Sequence, residues 1–169
     1  MNMKVYETER LFLRFTTVDD APFIYKLLNS PKWIQFIGDR NIKTVNDAVN
    51  YINKRMLSQL EKLGHSNFTV IRKSDNVKIG SCGLYDREGI DGLDIGFAFL
   101  PDYEGKGYAF EAANFIKNLG FKEFNVDQLS AITLEENISS QKLLKKLGLT
   151  FERYIKIPND DEELMLFKL

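Results

Sequence analysis

The stretch "LDIGFAFLPDYEGKGYAFEA", residues 93–112, decides the fold. Its first part, "LDIGFAFL" (93–100), is an apolar run of strand length. From residue 106 to 120 the pattern changes to helical spacing, with Ala109, Ala113, Ile116 and Leu119 on one side. Two glycines around Lys106 separate the two patterns. A bare turn needs one glycine at most. A loop whose backbone closes on an anion uses more, because glycine reaches left-handed conformations and lets successive N–H groups converge. The first N–H groups of a helix also lack intrahelical partners, and the helix dipole adds partial positive charge there. Gly105, Lys106, Gly107, Tyr108 and Ala109 are therefore a candidate anion cradle. An unliganded strand-to-helix turn fits the same residues. The pattern is not a P-loop, since GxxxxGK[ST] is absent, and Phe110 stands where a dinucleotide fingerprint needs its third small residue.

Outward from this stretch, the rest of the chain reads as strands and helices in one order. "RLFLRF" (10–15) is a first strand. Phe23, Ile24, Leu27 and Leu28 form a helical stripe that Pro31 is expected to end. Thr44 fits an N-cap with Asp47 three residues on. Val45, Ala48, Val49, Ile52, Met56 and Leu60 then form an apolar stripe closed by Gly64. "NFTVIRK" and "VKIGSCGLY" flank "SDN" as a hairpin. After the helix at 106–120 come a strand (127–134), a helix (137–148) with Asn137 and Gly148 at its ends, and two closing strands around "PNDDE". Three successive strands followed by alternation predict an α+β fold. Its sheet is mixed, mostly antiparallel and seven-stranded, with about four helices.

Composition narrows the function. The 169 residues carry 23 basic and 24 acidic side chains, a net charge of -1, so nothing favours nucleic acid as a partner. Hydrophobic residues make up 44%, ordinary for a globular protein, and the chain length fits one domain over 1–169. One cysteine (Cys82) and one histidine (His65) provide neither a disulfide nor a His/Cys metal cluster, so no metal is expected. No apolar stretch approaches the roughly 20 residues that span a bilayer. The expectation is a cytoplasmic protein that engages no membrane.

Two motifs in register with this strand order carry a resemblance. "EGKGYA" (104–109) is similar to the Q/R-x-x-G-x-G/A pyrophosphate loop of the GNAT superfamily of N-acetyltransferases, with Glu104 in place of the usual Gln or Arg. Asn137-Ile138-Ser139-Ser140, followed by "QKLLKKLG" and then by Leu149, Thr150 and Phe151, resembles the same family's second motif. The opening "ETERLFLR" and "TTVDDAPFIYKLL" resemble the branch that acetylates ribosomal-protein N-termini.

The resemblance implies acetyl-CoA as cosubstrate and direct acetyl transfer to a primary amine. The acceptor would be a protein N-terminus or a small molecule, and the enzyme a monomer or homodimer. It implies a pantetheine arm along "DIGFAFL", held by backbone groups of Phe97, Ala98 and Leu100, with the Ala98 amide polarising the thioester carbonyl and Gly96 easing a bulge. Asp94 matches the family's acidic position and reads either as general base or as a solvated strand-end aspartate, with Asp86 and Glu88 as alternatives. The tyrosine that many members use as acid is replaced by Leu144. Ser140 reads either as a donor to the leaving thiolate or as a plain first-turn residue. Asn137 reads as an N-cap, a pantetheine contact, or both. Trp33 and Phe36 would line the acceptor pocket or lie in the core, and the acidic run 160–163 would face a cationic acceptor or solvent. The alternative function is a non-catalytic acyl-CoA-binding or sensing domain on the same fold.

Overall fold

A computed structural model describes residues 3–169. Eight strands form one sheet: β1 (Val5–Glu7), β2 (Leu11–Phe15), β3 (Asn67–Arg72), β4 (Val77–Tyr85), β5 (Leu93–Phe99), β6 (Leu129–Thr133), β7 (Thr150–Ile155) and β8 (Leu164–Lys168). Their spatial order is β1-β2-β3-β4-β5-β6-β8-β7. All neighbours are antiparallel except β5 and β6. The α+β class and the mostly antiparallel sheet are as expected. The additional strand is β1, whose three residues are too few to show a period in sequence.

The helices are α1 (Ala21–Leu28), α2 (Pro31–Phe36), α3 (Val45–Tyr51), α4 (Ser58–Leu63), α5 (Tyr108–Glu123) and α6 (Ile138–Lys146). A π-helical stretch, Ile52–Leu57, joins α3 to α4 in a single rod. Thr44 and Asp47 form the capping box that starts it, and Gly64 at φ +79° ends it. Pro31 does more than end α1. Proline is tolerated in a helix's first turn, where its missing N–H costs nothing, and here it opens α2.

The two faces of the sheet bury different partners. Leu11, Leu13, Phe68, Cys82 and Ile95 pack with Ala112, Ala113 and Ile116 of α5 and Leu144 of α6. The second cluster joins Phe23, Ile24 and Leu27 of α1 to Ala48, Ile52, Met56 and Leu100. A carboxylate anchors the second layer. Asp20 is fully buried and accepts from Arg14 at 2.7 and 2.8 Å, from the Thr17 amide at 2.9 Å and from Thr69 at 3.1 Å, while Lys78 Nζ lies 2.7 Å away.

One irregularity shapes the centre of the sheet. β5 pairs with β6 only through Leu93↔Leu129 and Asp94↔Ser130, whereas β6 continues to pair with β8 as far as Thr133↔Met165. Beyond Asp94, β5 therefore has no strand on its β6 side, and the two parallel strands open into a cleft.

Candidate active site

The cleft ends at the glycine loop. After β5 the chain passes a 3-10 turn (Pro101–Tyr103) and reaches Gly105 at φ +69° and Gly107 at φ +82°, immediately before α5. Both backbones are left-handed, a region that costs other residues about 1–2 kcal/mol. No atom lies within 4 Å of a Cβ built on Gly105, so the loop is open on that side. Glu104, the departure from the expected Gln or Arg, is paired with Lys32 of α2. Its charge is thus met by a cation from the helix that carries Trp33.

The free edge of β5 can be read from its register. Leu100 N–H donates to Ile79 O at 2.9 Å, toward β4, and Leu93 N–H donates to Gln128 O at 3.3 Å, toward β6. The β4–β5 register runs without a shift from Gly80↔Phe99 to Tyr85↔Asp94. In a strand the N–H and C=O of one residue point the same way and alternate along the chain. Phe97 and Phe99 therefore face the cleft, and Ala98 and Leu100 face β4. This corrects two of the three expected backbone contacts. Phe97 remains available, Ala98 is spent on β4, Leu100 gives its N–H to Ile79 and its carbonyl to the Tyr103 amide, and Phe99 is the other residue whose backbone faces the cleft. Gly96 makes no bulge. A Cβ there would lie 2.7 Å from Tyr85 Cε2, so this glycine makes room for a ring on the adjacent strand.

Asp94 occupies the last paired rung before the cleft opens. It is 2% exposed, and Arg87 Nε lies 3.1 Å from its Oδ2 while Oδ1 is buried without a partner. Burial raises its pKa above the ordinary carboxylate value, and the Arg87 charge works against that rise. A solvated strand-end aspartate would show neither burial nor an orphaned oxygen. Asp86 and Glu88 are exposed.

The comparisons with known proteins give the family. A family model described as "Acetyltransferase (GNAT) domain" matches residues 10–150. The chain belongs to the GNAT acetyltransferase family. YnaD of Bacillus subtilis, named as an uncharacterized N-acetyltransferase, is 33% identical over 157 residues, covering 92% of this chain and 89% of that one. A GNAT-family acetyltransferase structure from Bacillus anthracis superposes with a TM-score of 0.79 at 27% identity, covering 98% of both chains. The fold is also that of RimL, the ribosomal L7/L12 α-N-protein acetyltransferase, solved with coenzyme A, at a TM-score of 0.83, 12% identity and 98% and 97% coverage.

The second GNAT motif opens α6. Asn137 is its N-cap, its side-chain oxygen accepting from the Ser140 amide at 3.3 Å, and Ser140 lies half-buried in the first turn. The cap occupies the Asn137 oxygen and leaves its amide nitrogen outside that bond. Leu144, at the position of the usual tyrosine acid, is 1% exposed in the core.

Of the two residues expected to line an acceptor pocket, Trp33 packs against the α1–α3 layer with its indole Nε1 buried and unpartnered, and Phe36 is half-buried at the end of α2. Asp161, Glu162 and Glu163 are exposed in the β7–β8 turn, and Asp160 is half-buried there. Cys82 is buried and its thiol is pushed up by burial, which removes it as a nucleophile. Among the described residues no group of three or more His, Cys, Asp or Glu is placed to hold a metal, and no helix is long and apolar enough to cross a membrane. Sequence reading missed Phe99, Lys32 and Arg87. Phe99 was legible only through strand register, Lys32 reaches Glu104 from 72 residues away, and Arg87 reaches Asp94 from within the short β4–β5 connection, where no residue pattern marks the pair.

Proposed function

We propose that this chain is an acetyl-CoA-dependent N-acetyltransferase that acts on a primary amine through direct attack, as one domain over 1–169 in the cytoplasm. The observation that carries this reading is the cleft beyond Asp94, which leads from a buried carboxylate along a free strand edge to an open, left-handed glycine loop. The fit is chemical as well as geometric: amide groups line the edge, and N–H groups at a helix N-terminus suit a pyrophosphate. Acetyl-CoA supplies an activated thioester carbonyl and a thiolate leaving group.

The chain's residues then divide the work. Gly105, Lys106, Gly107, Tyr108 and Ala109 hold the pyrophosphate, while Phe97 and Phe99 hold the pantetheine. The Phe97 N–H, in place of Ala98, stabilises charge on the thioester oxygen. An amine with a pKa of about 8–10 is mostly protonated at neutral pH and must lose a proton to attack. Asp94, with one oxygen free and its pKa raised, takes that proton. The amine nitrogen forms the new bond to the acetyl carbon as the carbon–sulfur bond breaks. Ser140 and the Asn137 amide nitrogen stand at the α6 start to meet the thiolate. Trp33 and Phe36 wall the acceptor side. RimL, named for the L7/L12 N-terminus, makes peptide N-termini the first acceptors to try, with polyamines beside them for the acidic turn. The enzyme acts as a monomer or homodimer.

A second reading, a non-catalytic acyl-CoA sensor, is favoured by Leu144, which leaves no tyrosine hydroxyl beside the thiolate. Calorimetric titration with acetyl-CoA tests the shared binding claim, and turnover on peptides and polyamines separates the two. Micromolar binding with acetylated product supports the enzyme. Binding with no product from any amine supports the sensor, and no binding defeats both.

A further inference from the structure

Arg10 stands at the start of β2, 101 residues before Glu111, yet its guanidinium lies on the glycine loop. Its Nε donates to Glu111 Oε2 at 2.7 Å and its Nη1 donates to the Lys106 carbonyl at 2.9 Å. The guanidinium lies 4.4 Å from the centroid of the Tyr108 ring. A Cβ built on Gly107 would come within 3.2 Å of its Nη2. Glu111 is itself held. Its Oε1 accepts from Thr8 Oγ1 at 2.6 Å and from the Arg10 amide at 2.8 Å. Burial alone would raise the Glu111 pKa, but these bonds and the Arg10 side chain outweigh it and hold the carboxyl below its ordinary value. Arg10 is thus fixed at Glu111 and grips the loop at one carbonyl.

That carbonyl has a geometric consequence. In a planar trans peptide the C=O and the following N–H point in opposite directions. An Arg10 bond to the Lys106 oxygen therefore turns the Gly107 N–H away from the Arg10 guanidinium. Gly107 has no side chain to oppose a flip of this peptide, so the backbone alone would not hold that orientation. The position also explains why residue 107 is a glycine: the chain needs φ +82° there and Arg10 lies across it.

We propose that Arg10 is a positioning residue for the phosphate-binding loop, fixing the Lys106–Gly107 peptide so that its N–H meets the pyrophosphate. The proposal rests on the acetyl-CoA reading above. It makes a charge distant in sequence part of coenzyme recognition, although the guanidinium bonds protein groups.

The test compares two ligands, of which one carries the pyrophosphate together with its 3'-phosphoadenosine and the other lacks both. Acetyl-CoA and S-acetylpantetheine are titrated calorimetrically into the full chain, its Arg10→Gln variant and its Arg10→Lys variant. A lysine keeps the charge but cannot bond Glu111 and the Lys106 oxygen together in the same fork. Wild type is expected to bind acetyl-CoA the more tightly. Both variants should lose roughly tenfold or more in acetyl-CoA affinity, the scale of one charge-assisted hydrogen bond, with acetylpantetheine affinity little changed. Equal loss on both ligands would assign Arg10 to general stability and overturn the proposal, as would a Lys variant that retains the full preference. If Arg10→Gln does not fold, the Lys variant alone decides. A wild type that does not distinguish the two ligands would defeat the coenzyme reading itself, a result separate from failure of the Arg10 claim.

Discussion

Arg87 Nε lies 3.1 Å from Asp94 Oδ2, and the other Asp94 oxygen is buried without a partner. Half of the carboxylate is therefore tied to a cation from the β4–β5 loop, and half is left for a proton. Removing the charge should separate chemistry from stability. Asp94→Asn is expected to lower turnover by about 10²–10⁴-fold, the range of general acid–base catalysis, with acetyl-CoA affinity unchanged. Because burial raises this group's folded pKa, its protonated form is the one folding favours. That contribution is full below the unfolded pKa and is lost as pH rises through the folded value. At neutral pH the Asn variant should be at least as stable as wild type. Denaturation at neutral pH together with steady-state kinetics checks both halves.

The Lys32–Glu104 pair predicts a reversal. Lys32→Ala frees the Glu104 charge next to the loop and should weaken acetyl-CoA binding by about a few fold, since exposed charges in water interact weakly. Glu104→Gln alone should strengthen binding, and the double variant should return it to the wild-type level or better. Calorimetry at low and high salt measures this, and the differences should shrink as salt rises.

Asp20 governs stability. Burial would raise its pKa, but Arg14, Lys78 and the Thr17 amide outweigh it, so the folded value lies far below the unfolded one. Its contribution is full above the unfolded pKa and is lost as pH falls through the folded value. Asp20→Ala leaves Arg14 and Lys78 without their partner and should cost about 3–5 kcal/mol at pH 7. Acid titration of denaturation midpoints should show a weaker dependence below about pH 4 in the variant than in wild type.

The two loop glycines should differ under the same substitution. Both alanine variants bear the left-handed penalty, about 1–2 kcal/mol. A methyl on Gly105 meets open space, whereas one on Gly107 crowds Arg10 Nη2. Gly107→Ala should therefore weaken acetyl-CoA binding more than Gly105→Ala, as measured by titration of each variant.

Much of the fold was legible because burial imposes a period. The α5 stripe, the Thr44 capping box and the β3–β4 hairpin all lie in local sequence. The two glycines announced a loop, and their positive φ values fit what that loop required. What stayed hidden depends on partners distant in the chain. Which β5 amides face the cleft follows from pairing with β4 and not from "FAFL" itself, so Ala98 and Leu100 could not be told from Phe97 and Phe99. Lys32 and Glu104 are 72 residues apart, and no spacing rule connects them. Pro31 misled for a local reason: the same residue stops one helix and starts another.

Backbone amide exchange in β5 and the glycine loop, with and without acetyl-CoA, tests the central claim most directly. The account predicts slowed exchange at Phe97, Phe99 and Gly107 on binding, with Ala98 and Leu100 already protected by β4 and unchanged. Unaltered exchange at Phe97, Phe99 and Gly107 under saturating acetyl-CoA would contradict it.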